Sequence, residues 1–338
     1  MRKTASWLLT GVLALSATAV SADTLSTVKS RGELRCGVTT GFAGFSAPDA
    51  QGNWKGLDID MCRAVAAAVL GDSSKVKAVP LSSQQRFTAL QSGEIDVLSR
   101  NTTVTLQRDA GLGAIHTGIN FYDGQGFLVP RSLGVKSALE LNGASICMQT
   151  GTSNENTLAD WARANNISYK PVVIEQFNEV VNAFAAGRCD VFTTDASGLA
   201  SIRISRLSNP DDYMVLPELI SKEPLGPFVR QGDDQWLNIV KWSLQAMLNA
   251  EELGVTSDNV DAQLASTNPN VLRLLGLTDS GGKSLGLDDK WAYNIVKQVG
   301  NYGQSFERNV GMGSPLKIQR GLIALWTNGG LMYGLPIR

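Results

Sequence analysis

The chain has 338 residues, 43% hydrophobic and 18% charged, with 30 Lys+Arg against 31 Asp+Glu and a single histidine. A disordered chain would be poorer in apolar residues and further from neutrality, and a polytopic membrane protein would carry several apolar runs of about 20 residues. A net charge of -1 without a polybasic stretch leaves no footprint for nucleic acid or an anionic membrane, and a lone histidine, His116, excludes a His-rich zinc site. Any Ser-His-Asp or Cys-His machinery would have to run through that one residue. The length predicts two domains, or one domain with two cores.

Met1, Arg2 and Lys3 precede an apolar stretch from Trp7 to Val20, and Val20-Ser21-Ala22 then leads into Asp23. This pattern predicts a secretory signal peptide over residues 1–22, cut after Ala22. The apolar run, about 14 residues with interspersed Ser and Thr, is short for a membrane anchor, which needs about 20. Cleavage takes away Arg2 and Lys3 and no acids, which turns the net charge of -1 into -3. The remaining chain is expected to be exported, with no direct membrane insertion. In an oxidising compartment the four cysteines, Cys36, Cys62, Cys147 and Cys189, favour disulfides, and four allow three pairings.

The next elements are a short apolar run over Leu34 to Gly41 and a helix over Asp58 to Leu70, with Asp58 and Asp60 expected to cap the helix N-terminus. Ala89 to Ser99 then reads as a helix end, a Gly cap and a buried strand. The same cadence returns over Ala183 to Thr193, offset by 94 residues. Ile146 to Gly151 and the helix Ser153 to Asn165 match the earlier strand and helix in outline. Alternating strands and helices predict two similar α/β lobes with doubly wound parallel sheets. Ligands on such sheets sit beyond the carboxyl ends of the strands, which singles out Arg100 and Asn101 in one lobe and Thr194 and Asp195 in the other.

Two stretches read as crossings between the lobes: Asn120 to Val129, aromatic and Gly-rich, and Glu223 to Val229. Two crossings make the first lobe discontinuous, with residues 23–122 and 226–338 in lobe one and 123–225 in lobe two. Each stretch taken alone would also serve as a surface loop. Cys36 and Cys62 then share one lobe, and Cys147 and Cys189 the other. Within-lobe bridges are expected, since a bridge between lobes would obstruct hinge opening.

Gly56-Leu57-Asp58-Ile59-Asp60-Met61-Cys62 and the small, apolar residues that follow resemble the signature of periplasmic binding proteins that serve ABC importers of polar amino acids, bacterial solute-binding protein family 3. Thr103-Val104-Thr105-Leu106-Gln107-Arg108 resembles the Thr-x-Thr-x-x-Arg segment with which that family grips an α-carboxylate. Gln149-Thr150-Gly151-Thr152-Ser153 resembles its Gly-Thr turn, and Asp195 falls at the acid that holds the α-ammonium. The close, Arg320 to Trp326 and Leu331 to Arg338, is similar to the general L-amino-acid-binding branch. The resemblance implies two doubly wound α/β lobes joined by two hinge strands, of the Venus-flytrap type, with a C-terminal helical extension. It also implies an L-amino acid ligand, inner-membrane ABC permease subunits as partners, a periplasmic location, and neither enzymatic activity nor a cofactor.

A zwitterionic amino acid held in a closed, poorly hydrated cleft needs one fixed cation with paired donors and one carboxylate. Arg108 supplies a planar fork that a lysine would not reproduce. Thr103 is expected to add a hydroxyl donor, the backbone N–H groups of Thr152 and Ser153 to reach over from the other lobe, and Asp195, with Asn101, to take the ammonium. Taken singly, Arg108 would also fit a surface ion pair and Asp195 a helix N-cap. For specificity, Thr39 stands where narrower relatives carry an Asp, and Leu57 where they stack an aromatic ring. Phe42 keeps an apolar wall and Gln149 offers an uncharged polar contact. A side-chain pocket without fixed charge loses an attraction and a source of rejection, so broad acceptance of L-amino acids is expected.

Two other readings compete. A dehydratase on the same fold would need a general acid or base from His116, Glu155 or Asp195, and His116 is expected in a solvated loop. A sensory binding protein would dock on a receptor in place of a permease. The tail carries Trp236, Trp242, Trp291 and Trp326, for which a core position is the default expectation. Alternatively, its last helices would cover the back of lobe one or form a dimer contact.

Overall fold

The computed structural model describes residues 23–338, and the leader read from residues 1–22 lies outside the described residues. Two five-stranded sheets form the frame. One runs in the order Val76–Pro80, Leu34–Val38, Val97–Leu98, Phe228–Arg230, Ala114–His116, and the other Lys170–Ile174, Ser145–Gln149, Val191–Asp195, Gln125–Pro130, Tyr213–Val215. The internal repeat puts Val97–Leu98 and Val191–Asp195 third in their sheets. Each follows a helix, Arg86–Ser92 or Phe177–Ala185, closed by a glycine in the left-handed region, Gly93 at φ 77° and Gly187 at φ 70°.

The sheets are mixed, not wholly parallel as the strand–helix alternation suggested. The first three strands of each are parallel, and the fourth is antiparallel. That fourth strand, Gln125–Pro130 or Phe228–Arg230, is the one that has just crossed from the other lobe. A chain entering at the edge where the parallel strands end must run away from that edge. The crossings pair with each other as antiparallel strands Phe121–Asp123 and Glu223–Leu225, with Glu223 opposite Asp123. Gly226 is required there, because a Cβ would stand 2.0 Å from the Gly118 carbonyl oxygen.

Each lobe holds one disulfide, Cys36–Cys62 with its Cα atoms 6.3 Å apart and Cys147–Cys189 at 5.7 Å, the within-lobe pairs. The first ties strand Leu34–Val38 to helix Leu57–Leu70. That helix is buried nearly all round, because the sheet covers one side and tail helices Asp234–Glu252, Trp291–Gln298 and Tyr302–Asn309 cover the rest. Its acids do not cap it. Gly56 is the N-cap without a side-chain bond, and both carboxylates are spent on distant segments. Asp58 accepts from Ser99 Oγ at 3.3 Å and the Asn101 N–H at 3.1 Å, while Asp60 accepts from Ser305 Oγ at 2.7 Å, Arg308 Nη2 at 2.6 Å and Asn309 Nδ2 at 2.6 Å.

The tail therefore packs against helix Leu57–Leu70 and shares its core. Trp236 and Trp291 are buried, with indole N–H groups donating to the carbonyls of Asp96 and Ser280, whereas Trp242 is half-buried and Trp326 exposed. Tyr302 donates its hydroxyl to the carbonyl of Asn120, the residue before the first crossing, at 2.5 Å. One continuous core runs from Leu25 to Met332.

Candidate functional site

Strands of both sheets end at a cleft of about 490 Å³, counting the space open at its mouth. Lobe one lines it with Thr39, Phe42, Ser83, Arg86, Arg100, Asn101, Thr103 and Arg108. Lobe two adds Gln149, Thr152, Ser153, Asn154, Phe177, Thr194 and Asp195. The lobes touch across it. Ser83 Oγ donates to Gln149 Oε1 at 2.9 Å, Arg86 Nη2 to the Gly151 carbonyl at 2.9 Å, Ser201 Oγ to the Ala43 carbonyl at 2.9 Å, and the Phe42 and Phe177 rings meet at 5.5 Å. Gly151 makes the approach possible. It sits at φ 75°, and a Cβ would stand 2.8 Å from Gln84 Cγ and 3.2 Å from the Gln84 backbone nitrogen.

Arg108 lies in helix Leu106–Gly111, whose N-cap Thr105 accepts from the Arg108 N–H. It is 9% exposed, its Nη1 donates to the Thr103 carbonyl at 2.9 Å, and no carboxylate of the described residues pairs with it. The surface ion-pair reading therefore does not fit. Burial pulls the Arg108 guanidinium below its ordinary value, opposed by the negative charges of Glu223 and Asp195. Asp195 occupies the N-cap position of helix Ala196–Arg206 yet makes no capping bond. Its carboxylate, 7% exposed, accepts from Asn154 Nδ2 at 3.1 Å and lines the cleft. Burial raises it well above the usual carboxylate range, and the charges of Asp123 and Glu223 push the same way. Such a carboxylate is poised for a cation.

Helix Ser153–Ala164 aims its N-terminus at the same space, and its N-cap Thr152 makes no side-chain cap bond, so first-turn N–H groups are free for an anion. Asn101 reaches the cleft in the left-handed region, φ 42°, with a buried amide whose two polar atoms have no partner. Thr39 faces the cleft with its hydroxyl bound to Ser46, and Gln149 is held between Ser83 and the Glu175 carbonyl. Thr103 and Ser153 are both present, but neither hydroxyl stands free: both donate to Glu223. Leu57 is absent from the lining. It is buried in the lobe-one core beside Met61, Leu244, Met247 and Tyr302, because the first turn of its helix faces the tail at that position.

Three features lay beyond sequence reasoning. Arg86, 2% exposed, adds a second buried cation whose Nε has no partner, and burial together with Arg108 and Arg100 drives it well below the usual arginine value. Its signal was the polar run Ser82 to Gln85 after a strand's carboxyl end. Asn154 and Phe177 supply the Asp195 partner and an aromatic wall. Glu223 and Asp123 stand opposite each other at the crossings, where burial lifts Asp123 to about 6. Of the residues considered for catalysis, His116 sits on a strand, not in a loop, with Nδ1 2.8 Å from Asp109 Oδ1, and Glu155 accepts from the Gly151 N–H; neither lines the cleft.

Comparison with known proteins places this geometry. The model of the bacterial extracellular solute-binding proteins, family 3, matches residues 34–259. The chain is 59% identical to the general L-amino acid-binding periplasmic protein AapJ of Rhizobium johnstonii, over 97% of this chain and 96% of that protein. It is 53% identical to the glutamate/glutamine/aspartate/asparagine-binding protein BztA of Rhodobacter capsulatus, over 100% of both. A solved periplasmic binding protein from Brucella ovis with glutathione bound superposes with a TM-score of 0.92 at 55% identity, covering 94% of this chain and 100% of that one. No helix among the described residues is long and apolar enough to cross a membrane. With the two-lobed architecture and a match over two thirds of its length, the chain belongs to the family 3 bacterial extracellular solute-binding proteins.

Proposed function

We propose that this chain is the periplasmic substrate-binding component of an ABC importer, and that it captures L-amino acids of several kinds between its lobes for delivery to a membrane permease. One observation carries the reading. A buried, unpaired arginine of lobe one, Arg108, and a buried, uncapped aspartate of lobe two, Asp195, face the same cleft. The pair matches an α-carboxylate and an α-ammonium one carbon apart, and one small ligand contacted from both sides favours the closed state. Lobe one is residues 23–122 and 226–338, lobe two 123–225, and residues 1–22 are the export signal.

Arg108 grips the carboxylate with the free N–H groups of Thr152 and Ser153, and Asp195 with Asn101 takes the ammonium. Phe42, Thr39 and Gln149 border the side chain without a fixed charge, which supports breadth. Arg86 adds a cation at the cleft wall, which favours side chains bearing oxygen, in keeping with the four amino acids named for BztA. Glutathione, named for the Brucella protein, carries a free α-amino-acid head on its glutamyl residue and belongs in the same panel. Capture without bond chemistry is preferred to a dehydratase because, of the three candidate acid–base groups, His116 and Glu155 stand outside the lining and Asp195 is taken up by the ligand ammonium. Isothermal titration of protein stripped of co-purified ligand against the twenty L-amino acids and glutathione tests the proposal. Saturable binding of several L-amino acids is expected, and binding of none, or of a single one, would sink it.

A further inference from the structure

The Thr103 and Ser153 hydroxyls, one from each lobe, stand 3.2 Å apart. A hydroxyl owns one proton, and here both are committed elsewhere. Thr103 Oγ1 donates to Glu223 Oε2 at 2.6 Å and Ser153 Oγ donates to the same oxygen at 2.8 Å, while Ser221 Oγ donates to Glu223 Oε1 at 2.6 Å. No proton remains for a bond between the two hydroxyls. What draws them together is the carboxylate, which is 2% exposed and belongs to the second crossing strand, opposite Asp123 on the first. The other polar contacts between the lobes described above join one residue of each lobe directly. This one runs through the hinge.

We propose that Glu223 is a positioning residue for ligand capture: its carboxylate collects a hydroxyl proton from each lobe when the lobes meet, and so clasps the closed state while turning the lone pairs of Thr103 and Ser153 toward the cleft. The assignment rests on the amino-acid-binding reading. It alters that reading in one respect, since the ligand carboxylate is then left to Arg108 and the backbone N–H groups, not to the Thr103 hydroxyl. Charge-assisted hydrogen bonds to a buried carboxylate are the strong kind, and they can form with both lobes only after closure. Losing them should speed opening and leave encounter unchanged.

Stopped-flow binding of L-glutamate, with L-alanine as a second probe, tests this on the full-length mature chain. Glu223→Gln, nearly the same shape, should raise the dissociation rate about tenfold or more with the association rate within about twofold. In a Thr103→Val/Ser153→Ala background the same substitution should change dissociation by less than about twofold, since its partners are gone. Glu223→Asp, which keeps the charge but retracts it, should fall between wild type and Gln and carries the test if the Gln variant does not fold. An equal loss in both backgrounds, a loss confined to association, or a wild-type dissociation rate in Glu223→Gln and Glu223→Asp would overturn the assignment while leaving amino-acid binding intact. Failure of the wild-type chain to bind either probe would overturn the binding reading and this assignment with it.

Discussion

The two lobes have the same sheet order and one disulfide each, yet they are built to different standards of burial and charge. Lobe two packs two small clusters, one around Val180, Phe184 and Phe192 and the other around Phe127, Ile146 and Leu158. Lobe one also has a small cluster, around Leu90, Ile95 and Phe228, but its main core has absorbed the tail and runs from Leu25 to Met332, and a helix that would otherwise show a solvated face is buried nearly all round. The cleft is as uneven. Lobe one brings the arginines Arg86, Arg100 and Arg108, and lobe two brings Asp195 and a free helix N-terminus. The repeated unit is thus scaffold, and the charge that faces the cleft lies in what differs between the copies.

The sharpest way to break this comparison is to remove what makes lobe one large. Ending the chain after Asn270 deletes Trp291, Tyr302 and Phe306, each under 2% exposed, and takes from Asp60 its partners Ser305, Arg308 and Asn309. A buried charge left with only Arg63, at 3.5 Å, and several vacated aromatic sites each cost several kcal/mol. Lobe one should lose its cooperative unfolding transition and the chain its ligand binding. A truncated chain that melts and binds like the full one would make the tail a separate module. Next in size is Arg108→Ala, expected to weaken amino-acid binding about 100-fold or more, since it leaves the opposing charge unpaired at a cost of about 3–5 kcal/mol. Near-normal affinity by calorimetry would remove Arg108 from the site.

How much of this asymmetry the sequence carried depends on range. The repeat, the crossings and the within-lobe cysteine pairs were legible because each is a local pattern or a match of a pattern, and so was the meeting of Arg108 and Asp195 at one cleft. The direction of the fourth strands was not, since it follows from where the chain re-enters a lobe and not from periodicity. Asp58 and Asp60 misled for a similar reason. At a helix start an acid reads as a cap, but their partners Asn101 and Arg308 lie 43 and 248 residues away. Leu57 was placed in the cleft by alignment with a motif, and only the tail packed beside it shows that its side of the helix belongs to the core. Glu223 was visible as a hinge residue, but its link to Thr103 spans 120 residues.

A gentler break concerns the disulfides. Their loops of 26 and 42 residues differ little in closure entropy, so reduction of either should cost about 3–4 kcal/mol in the chain-entropy account. The consequences should differ between lobes. Cys36 joins a sheet also braced by the tail, whereas Cys147 holds a small cluster, so Cys147→Ala/Cys189→Ala should lower the first thermal transition more than Cys36→Ala/Cys62→Ala. Equal shifts would mean that the tail adds nothing to the resilience of lobe one.

The smallest expected effect probes the charge asymmetry directly, through the proton count of binding. Asp195 is raised well above the ordinary carboxylate by burial, with Asp123 and Glu223 adding to it and Asn154 and Arg108 opposing. Before the ligand arrives, Asp195 therefore keeps its proton to higher pH than an exposed aspartate would. A ligand ammonium stabilises the carboxylate and expels that proton. In the pH range where Asp195 titrates, binding should release a fraction of one proton, and affinity should improve as pH rises through that range, because the fraction to be expelled shrinks. Titration in buffers of different ionisation enthalpy counts the protons. Asp195→Asn should abolish the release, and proton uptake, or an unchanged release in that variant, would place the titrating group elsewhere. Were the release instead to persist in Asp195→Asn and vanish in Asp123→Asn, whose carboxyl burial lifts to about 6, the acids at the crossings and not Asp195 would be the groups that meet the ammonium.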